Sequence, residues 1–250
     1  MTRIGSGPVG SSASAAPPAG GGEAMTVEIW SDVVCPWCYV GKRRFESALA
    51  RFAHRRQVEV RWRSFELDPS APAHAGGDAD LVGHLAAKYG VSREEARAMN
   101  DRVTAVAAGE GLALRLDRAR RGRTFDAHRL LRLGAARGVQ GALAERLMAA
   151  YLTEGEPVAD HQALVRAAVS VGLDGAEARR VLGGDAYADA VRADQADARG
   201  LGISAVPFFV VDRRYGVAGA QPADVVLAAL EQAWAQRSPR PGTDASAEGG

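Results

Sequence analysis

Cys35 and Cys38 are the only two cysteines in the 250 residues, and they stand together as Cys35-Pro36-Trp37-Cys38. A strand-like run, Val27-Glu28-Ile29-Trp30, closely precedes them, and an amphipathic helical pattern follows. That order sets a dithiol at a helix N-terminus, where unsatisfied backbone N–H groups and the helix dipole stabilise a thiolate. The thiolate is the form of cysteine that attacks a disulfide. Pro36 suits the first helical turn because it brings no N–H that would go unpaired. Two blander uses of the pair fit less well. Structural zinc takes four ligands, but there is no second cysteine pair, and His54, His74, His84, His128 and His161 are scattered. No metal is therefore expected. A disulfide closing so short a loop constrains the unfolded chain little, and a chain of this length can bury a large core without staples.

Hydrophobic residues make up 47% of the chain, and 31 basic residues face 30 acidic ones. This fits a soluble globular protein and shows no global basic bias towards nucleic acid. Arg115, Arg118, Arg120, Arg121 and Arg123 cluster locally. They read as a solvated loop and helix start, with a patch for an acidic substrate or partner as the alternative. No apolar run is long enough to span a bilayer. Residues 1–24, rich in Gly, Ala, Ser and Pro, lack the apolar stretch of a secretory signal and are read as a disordered tail, as are residues 238–250. Met25 is the expected start of the folded unit, or of translation. With no export signal a cytoplasmic setting is expected, where Cys-x-x-Cys is more often catalytic or metal-binding than structural.

Thr26–Ser31 reads as a buried strand, Trp37 to about His54 as a helix, and Val58–Leu67 as a second strand. Together they form a β-α-β unit with the dithiol on its crossover. From about Asp78 the pattern turns helical. Segments are expected at Asp80–Tyr89, from the capping box Ser92-Arg93-Glu94-Glu95 to Ala108, at Thr124–Arg137, and near 140–153, 160–171 and 174–182, with Asp160 and Asp174 as N-caps. A helix over about Asp185–Arg199 follows, then strands at Phe208–Val211 and Tyr215–Ala218, then a final helix over Pro222–Arg237. The expected division is residues 25–77 and 185–237 as two halves of one α/β domain, and 78–184 as an inserted all-helical domain with its own small core.

Three motifs occur in order: Cys35-Pro36-Trp37-Cys38-Tyr39-Val40-Gly41, Ser204-Ala205-Val206-Pro207-Phe208-Phe209-Val210, and Gly219-Ala220-Gln221-Pro222. With the helical insert between them, the chain over about residues 26–236 resembles the FrnE-like branch of the DsbA family of thiol oxidoreductases. The resemblance implies a thioredoxin-like fold with a helical insertion, dithiol–disulfide exchange, and a cis Val206–Pro207 peptide facing the dithiol. Some relatives carry a second cysteine pair, which is absent here. Pro-Trp stands between the cysteines rather than the Pro-His of exported DsbA, so a strongly oxidising poise is not implied. Thr124-Phe125-Asp126-Ala127-His128-Arg129 also resembles a motif of the family's helical block. His128 is either near the active site or on a helix surface.

The leading function is thiol–disulfide exchange on protein substrates or small thiols, with Cys35 as nucleophile and Cys38 as resolving thiol. Pro36, Trp37, Val206 and Pro207 would form the rim, with Asp32 and His128 as modulators. No cofactor is required beyond the Cys35–Cys38 disulfide itself, with glutathione as an optional co-substrate. Neither nucleic acid nor a membrane is an expected partner. Two other readings stay open: a glutathione-dependent isomerase or kappa-type transferase, in which serine typically replaces Cys35, and a redox-linked, chaperone-like binding module built on the rim around Trp37.

Overall fold

The computed structural model describes residues 2–3, 24–73 and 80–237. Its strands are β1 (Thr2–Arg3), β2 (Met25–Ser31), β3 (Val58–Ser64), β4 (Phe208–Val211) and β5 (Tyr215–Ala218). They form one mixed sheet in the order β1-β5-β4-β2-β3. Strand β2 runs parallel to β3 and antiparallel to β4. Helix α1 (Pro36–Arg51) makes the β2–β3 crossover. Between β3 and β4 lie α2 (Leu81–Tyr89), α3 (Arg93–Gly109), α4 (Phe125–Ala136), α5 (Gln140–Ala149), α6 (His161–Ser170), α7 (Gly175–Gly183) and α8 (Ala188–Gly200). Helix α9 (Ala223–Ala235) closes the described chain. This is a thioredoxin-like fold with a helical insertion.

Strand periodicity explains how the sheet is covered. Side chains alternate between its faces. Val27 and Ile29 of β2 and Phe209 and Val211 of β4 join a core with Phe45 and Phe52 near α1 and Val226 and Leu230 of α9. Phe45 stacks on Phe209 at 5.6 Å. The intervening residues, Trp30 and Val210, meet Ala198 of α8 and Ile203 in a second cluster. Buried Glu28 shares that second face and pairs with Arg63 and Arg213. A buried carboxylate is tolerable only with such partners. Register then places the site: Trp30 pairs with Phe208. The residues beyond each, Asp32 on one side and Val206–Pro207 on the other, therefore leave the sheet at the same end.

Several boundaries differ from the sequence reading for physical reasons. Strand β3 ends at Ser64, not Leu67, because the Leu67 amide turns away to donate to Asp32 Oδ2 at 2.8 Å. The segment expected at 140–153 is α5 followed by a π-helical turn over Ala150–Glu154. Helix α8 starts at Ala188 because Tyr187 takes a left-handed φ of 64°. Thr2 and Arg3 lie within the segment read as a disordered tail, yet they pair antiparallel with β5 and cover its edge, which would otherwise offer unpaired backbone groups. The rest of that tail, residues 238–250, and the expected junction at 77–78 lie outside the described residues.

The helical block does not pack as a separate core. One hydrophobic cluster runs from Phe45, Phe209 and Leu230 through Leu130, Leu133, Leu147 and Leu164. Ion pairs also tie α1 to α5. Glu145 meets Lys42 at 2.6 Å and Arg43 at 2.5 Å, and accepts the Tyr39 hydroxyl at 2.5 Å. Partial burial pushes the Glu145 carboxyl up. Hydrogen bonds from Lys42 and Tyr39 and the charges of Lys42 and Arg43 outweigh that and hold it below the ordinary value. A carboxyl depressed in the folded state stabilises above its unfolded value and loses that stabilisation as pH falls through the folded one. The α1–α5 contact should therefore weaken below about pH 4.3, by roughly 1 kcal/mol given its partial exposure. Thermal midpoints measured across that range should fall less steeply for Glu145→Gln than for the parent; parallel curves would contradict this role.

Candidate active site

The dithiol lies where β2 hands over to α1. Cys35 is the N-cap residue of α1 and Pro36 follows at its first turn. The turn is closed by the Cys35 amide donating to the Asp32 carbonyl at 3.1 Å, and by the Cys38 and Tyr39 amides donating to the Cys35 carbonyl at 3.0 and 3.3 Å. Cys35 offers its side chain to no backbone amide of the helix, so its sulfur stays available for chemistry. Both cysteines are free thiols. Cys35 is 5% exposed and Cys38 1% exposed, while Trp37 beside them is 42% exposed. Burial is the main cause holding the Cys38 thiol well above its ordinary value, followed by the hydrogen bond and charge of neighbouring Cys35; Ser31 and the backbone of Asp32 oppose this.

The β4 end supplies the facing loop. The Val206–Pro207 peptide is cis, and the Val206 carbonyl lies 3.8 Å from Cys35 Sγ. Two glycines let the loop come this close. A Cβ on Gly41 would lie 2.8 Å from Pro207 Cγ and 3.5 Å from Phe209, so only glycine admits the proline ring against α1. Gly219 takes φ 75°, a conformation suited to glycine, and its amide donates to the Pro207 carbonyl at 2.8 Å. Gly41 and Gly219 belong to the first and third motifs of the sequence, which the fold thus joins around the second.

Asp32 and His128 sit at the base of this end. Asp32 is 1% exposed, and its Oδ2 accepts the Leu67 amide. His128, on α4, is also 1% exposed, which rules out a helix-surface position. Its Nε2 approaches Asp32 Oδ1 to 3.3 Å without hydrogen-bond geometry, and among the described residues neither ring nitrogen has a hydrogen-bond partner. The pair thus joins the dithiol loop to the helical block.

A cavity of about 180 Å³ opens beside Cys35. Sequence reading missed its walls: Leu81, Leu85, Met99 and Val103 from α2 and α3, Leu116, and Tyr151. Apolar periodicity marks such residues as buried but cannot distinguish a cavity wall from a filled core. Tyr151 was hidden further, because it stands in the π-helical turn. Of the arginine cluster, Arg121 is not a free solvated charge: it lines the cavity and pairs with Asp68 at 2.5 Å. Among the described residues no group of three or more His, Cys, Asp or Glu is arranged to hold a metal ion. None of the described helices is long and apolar enough to cross a membrane.

A pair of cysteines at a helix start, faced by a proline loop on a thioredoxin-like sheet under a helical insertion, fits a class, that of the DsbA-like thiol oxidoreductases. The chain belongs to the DSBA-like thioredoxin domain family, whose model matches residues 26–231. It is 51% identical to a probable DsbA oxidoreductase from Streptomyces coelicolor, over 90% of this chain and 96% of that one, with a TM-score of 0.79. The cytosolic disulfide reductase DsbM from Pseudomonas aeruginosa, solved with GSH, shares the fold at 21% identity, over 84% of this chain and 99% of that one, with a TM-score of 0.57. An uncharacterized Bacillus subtilis protein, YwbO, is 48% identical over 44 residues, which span 18% of this chain and only 20% of that relative.

Proposed function

We propose that this chain exchanges disulfides through Cys35 and Cys38. The carrying observation is the pairing of a sulfur at the start of α1, 3.8 Å from the Val206 carbonyl, with a second sulfur buried deeper whose thiol is held protonated. Cys35 as thiolate attacks one sulfur of a substrate disulfide and expels the other as a thiolate. Cys38 then gives up its proton and attacks Cys35 Sγ, releasing the second substrate thiol and leaving a Cys35–Cys38 disulfide. Pro36, Trp37, Val206 and Pro207 form the proposed rim. Asp32 and His128, both buried and 3.3 Å apart, are proposed modulators of the dithiol. Thiol- or disulfide-bearing proteins and small thiols, glutathione among them, are the proposed partners. The FrnE-like branch and a cytoplasmic setting are the proposed placement. The intact cysteine pair weighs against an isomerase or transferase reading, which gives Cys38 no task.

The test is a redox titration of the reduced protein against a glutathione buffer, read by mass spectrometry, with brief iodoacetamide labelling of the reduced form. Formation of a Cys35–Cys38 disulfide, and labelling of Cys35 before Cys38, are expected. Labelling of Cys38 first would reverse the roles. A dithiol that stays reduced throughout, even under excess oxidised glutathione, would remove the reading.

A further inference from the structure

We infer that the substrate of this dithiol is a low-molecular-weight disulfide with an apolar body of about one ring and an anionic group, bound in the cavity beside Cys35, rather than a disulfide on a folded protein. The inference rests on the exchange reading above and narrows its substrate class.

Size comes first. The cavity holds about 180 Å³, and an apolar protein cavity of about 150 Å³ accommodates benzene. One ring-sized group therefore fits where Leu81, Leu85, Met99, Val103 and Leu116 supply the walls. Access comes second. Disulfide exchange needs a substrate sulfur to reach Cys35 Sγ in line with the bond being broken, and Cys35 is only 5% exposed. A narrow disulfide can bring its sulfur in alongside its own apolar half, whereas a folded domain has to bring its sulfur to a cysteine that is almost fully covered.

Polar groups give the third argument. Tyr151 lines the cavity and is 4% exposed. A phenol hydroxyl in a cavity wall can donate a hydrogen bond to an acceptor on a molecule bound there. Burial, and then the Asp32 charge, hold it well above its ordinary value, so it remains a donor throughout the neutral range. Lys88 and Arg121 line the cavity, with Asp68 as the sole acid among the described wall residues. His84, also in the wall, is pushed towards its neutral form by burial and by Arg121. The described wall residues thus carry one positive charge in excess, which suits one anionic group on the substrate. Asp32, the other acid near Tyr151, is not among the wall residues.

The chemistry balances without another component. One substrate disulfide becomes two thiols while Cys35 and Cys38 lose two electrons and two protons to form their disulfide; a dithiol reductant then restores them. The test mixes reduced protein with four disulfides in single turnover: the anionic dithiobis(nitrobenzoate), neutral dithiodipyridine, cationic cystamine, and insulin. Each rate is divided by that of free dithiothreitol with the same disulfide, which removes intrinsic leaving-group differences. The anionic ring disulfide should lead insulin and cystamine by about tenfold or more and should saturate. Tyr151→Phe should raise its half-saturating concentration about three- to tenfold. Met99→Trp, which fills the cavity, should raise it further, and exposed Lys88→Gln should shrink the preference for the anionic over the neutral disulfide. A normalised rate with insulin equal to or above that of the anionic disulfide overturns the inference. So does a half-saturating concentration that neither Tyr151→Phe nor Met99→Trp changes. Failure of the parent dithiol to react with any of the four removes the exchange reading itself, and this inference with it.

Discussion

Cys38→Ser should trap the protein on its substrate. With the resolving sulfur gone, Cys35 can still attack a disulfide, but nothing nearby breaks the mixed disulfide that results. The geometry makes the arrest specific. Cys38 lies one turn further along α1, its amide bonded to the Cys35 carbonyl at 3.0 Å, and these are the only two cysteines of the chain. No other sulfur of the molecule can substitute. Non-reducing mass spectrometry should show a covalent adduct on Cys35 that dithiothreitol removes, with multiple turnover lost. Cys35→Ser should form no adduct and fall to the uncatalysed rate, a loss on the order of a thousandfold or more, because an alcohol is a far weaker nucleophile than a thiol near neutral pH. Full turnover surviving in Cys38→Ser, with glutathione and an aromatic substrate, would instead favour the isomerase-type alternative.

The second large effect should come from a residue with no reactive group. Gly41 lies on α1 where a Cβ would stand 2.8 Å from Pro207 Cγ. Valine there must push the Val206–Pro207 loop off the helix or strain the packing around Phe209. Overpacking of this kind costs about 1–3 kcal/mol. The functional cost follows from the same displacement, since the Val206 carbonyl would retreat from Cys35. Gly41→Val should lower the unfolding midpoint and slow exchange about tenfold or more, a barrier change of about 1.4 kcal/mol. Gly41→Ala should do both more mildly. A stable Gly41→Val protein with parental exchange rates would show that the approach of this loop to Cys35 does not matter.

How much of this was legible in the sequence depends on the range of the interaction that decides it. Strand β2, the dithiol turn and α1 follow from local signals: an apolar run, a proline at the first turn, an amphipathic period. The caps at Ser92, Asp160 and Asp174 were equally local, and each accepts the hydrogen bond from its own helix. Contacts across the sequence were not readable in this way. His128 could be assigned to a helix but not to one of its faces, because the side chain it meets, Asp32, is set by the docking of α4. The shared core was missed because Leu130 and Leu147 carry the same apolar pattern whether they face one another or the sheet. The π-helical turn at Ala150–Glu154 has no sequence signature, so Tyr151 stayed out of view until the cavity was seen.

The 171 positions separating Cys35 from Val206 have a consequence in time. A ribosome adding roughly 5–20 residues per second needs about ten to thirty seconds to cover that distance. Throughout that interval the dithiol exists without the loop that faces it, and the strand that carries the loop has yet to join the sheet. The N-terminal half of a growing chain thus carries Cys35 and Cys38 before the loop that lies against Cys35. On the proposed exchange reading, the protein's own synthesis is therefore the period in which the dithiol lacks its facing loop.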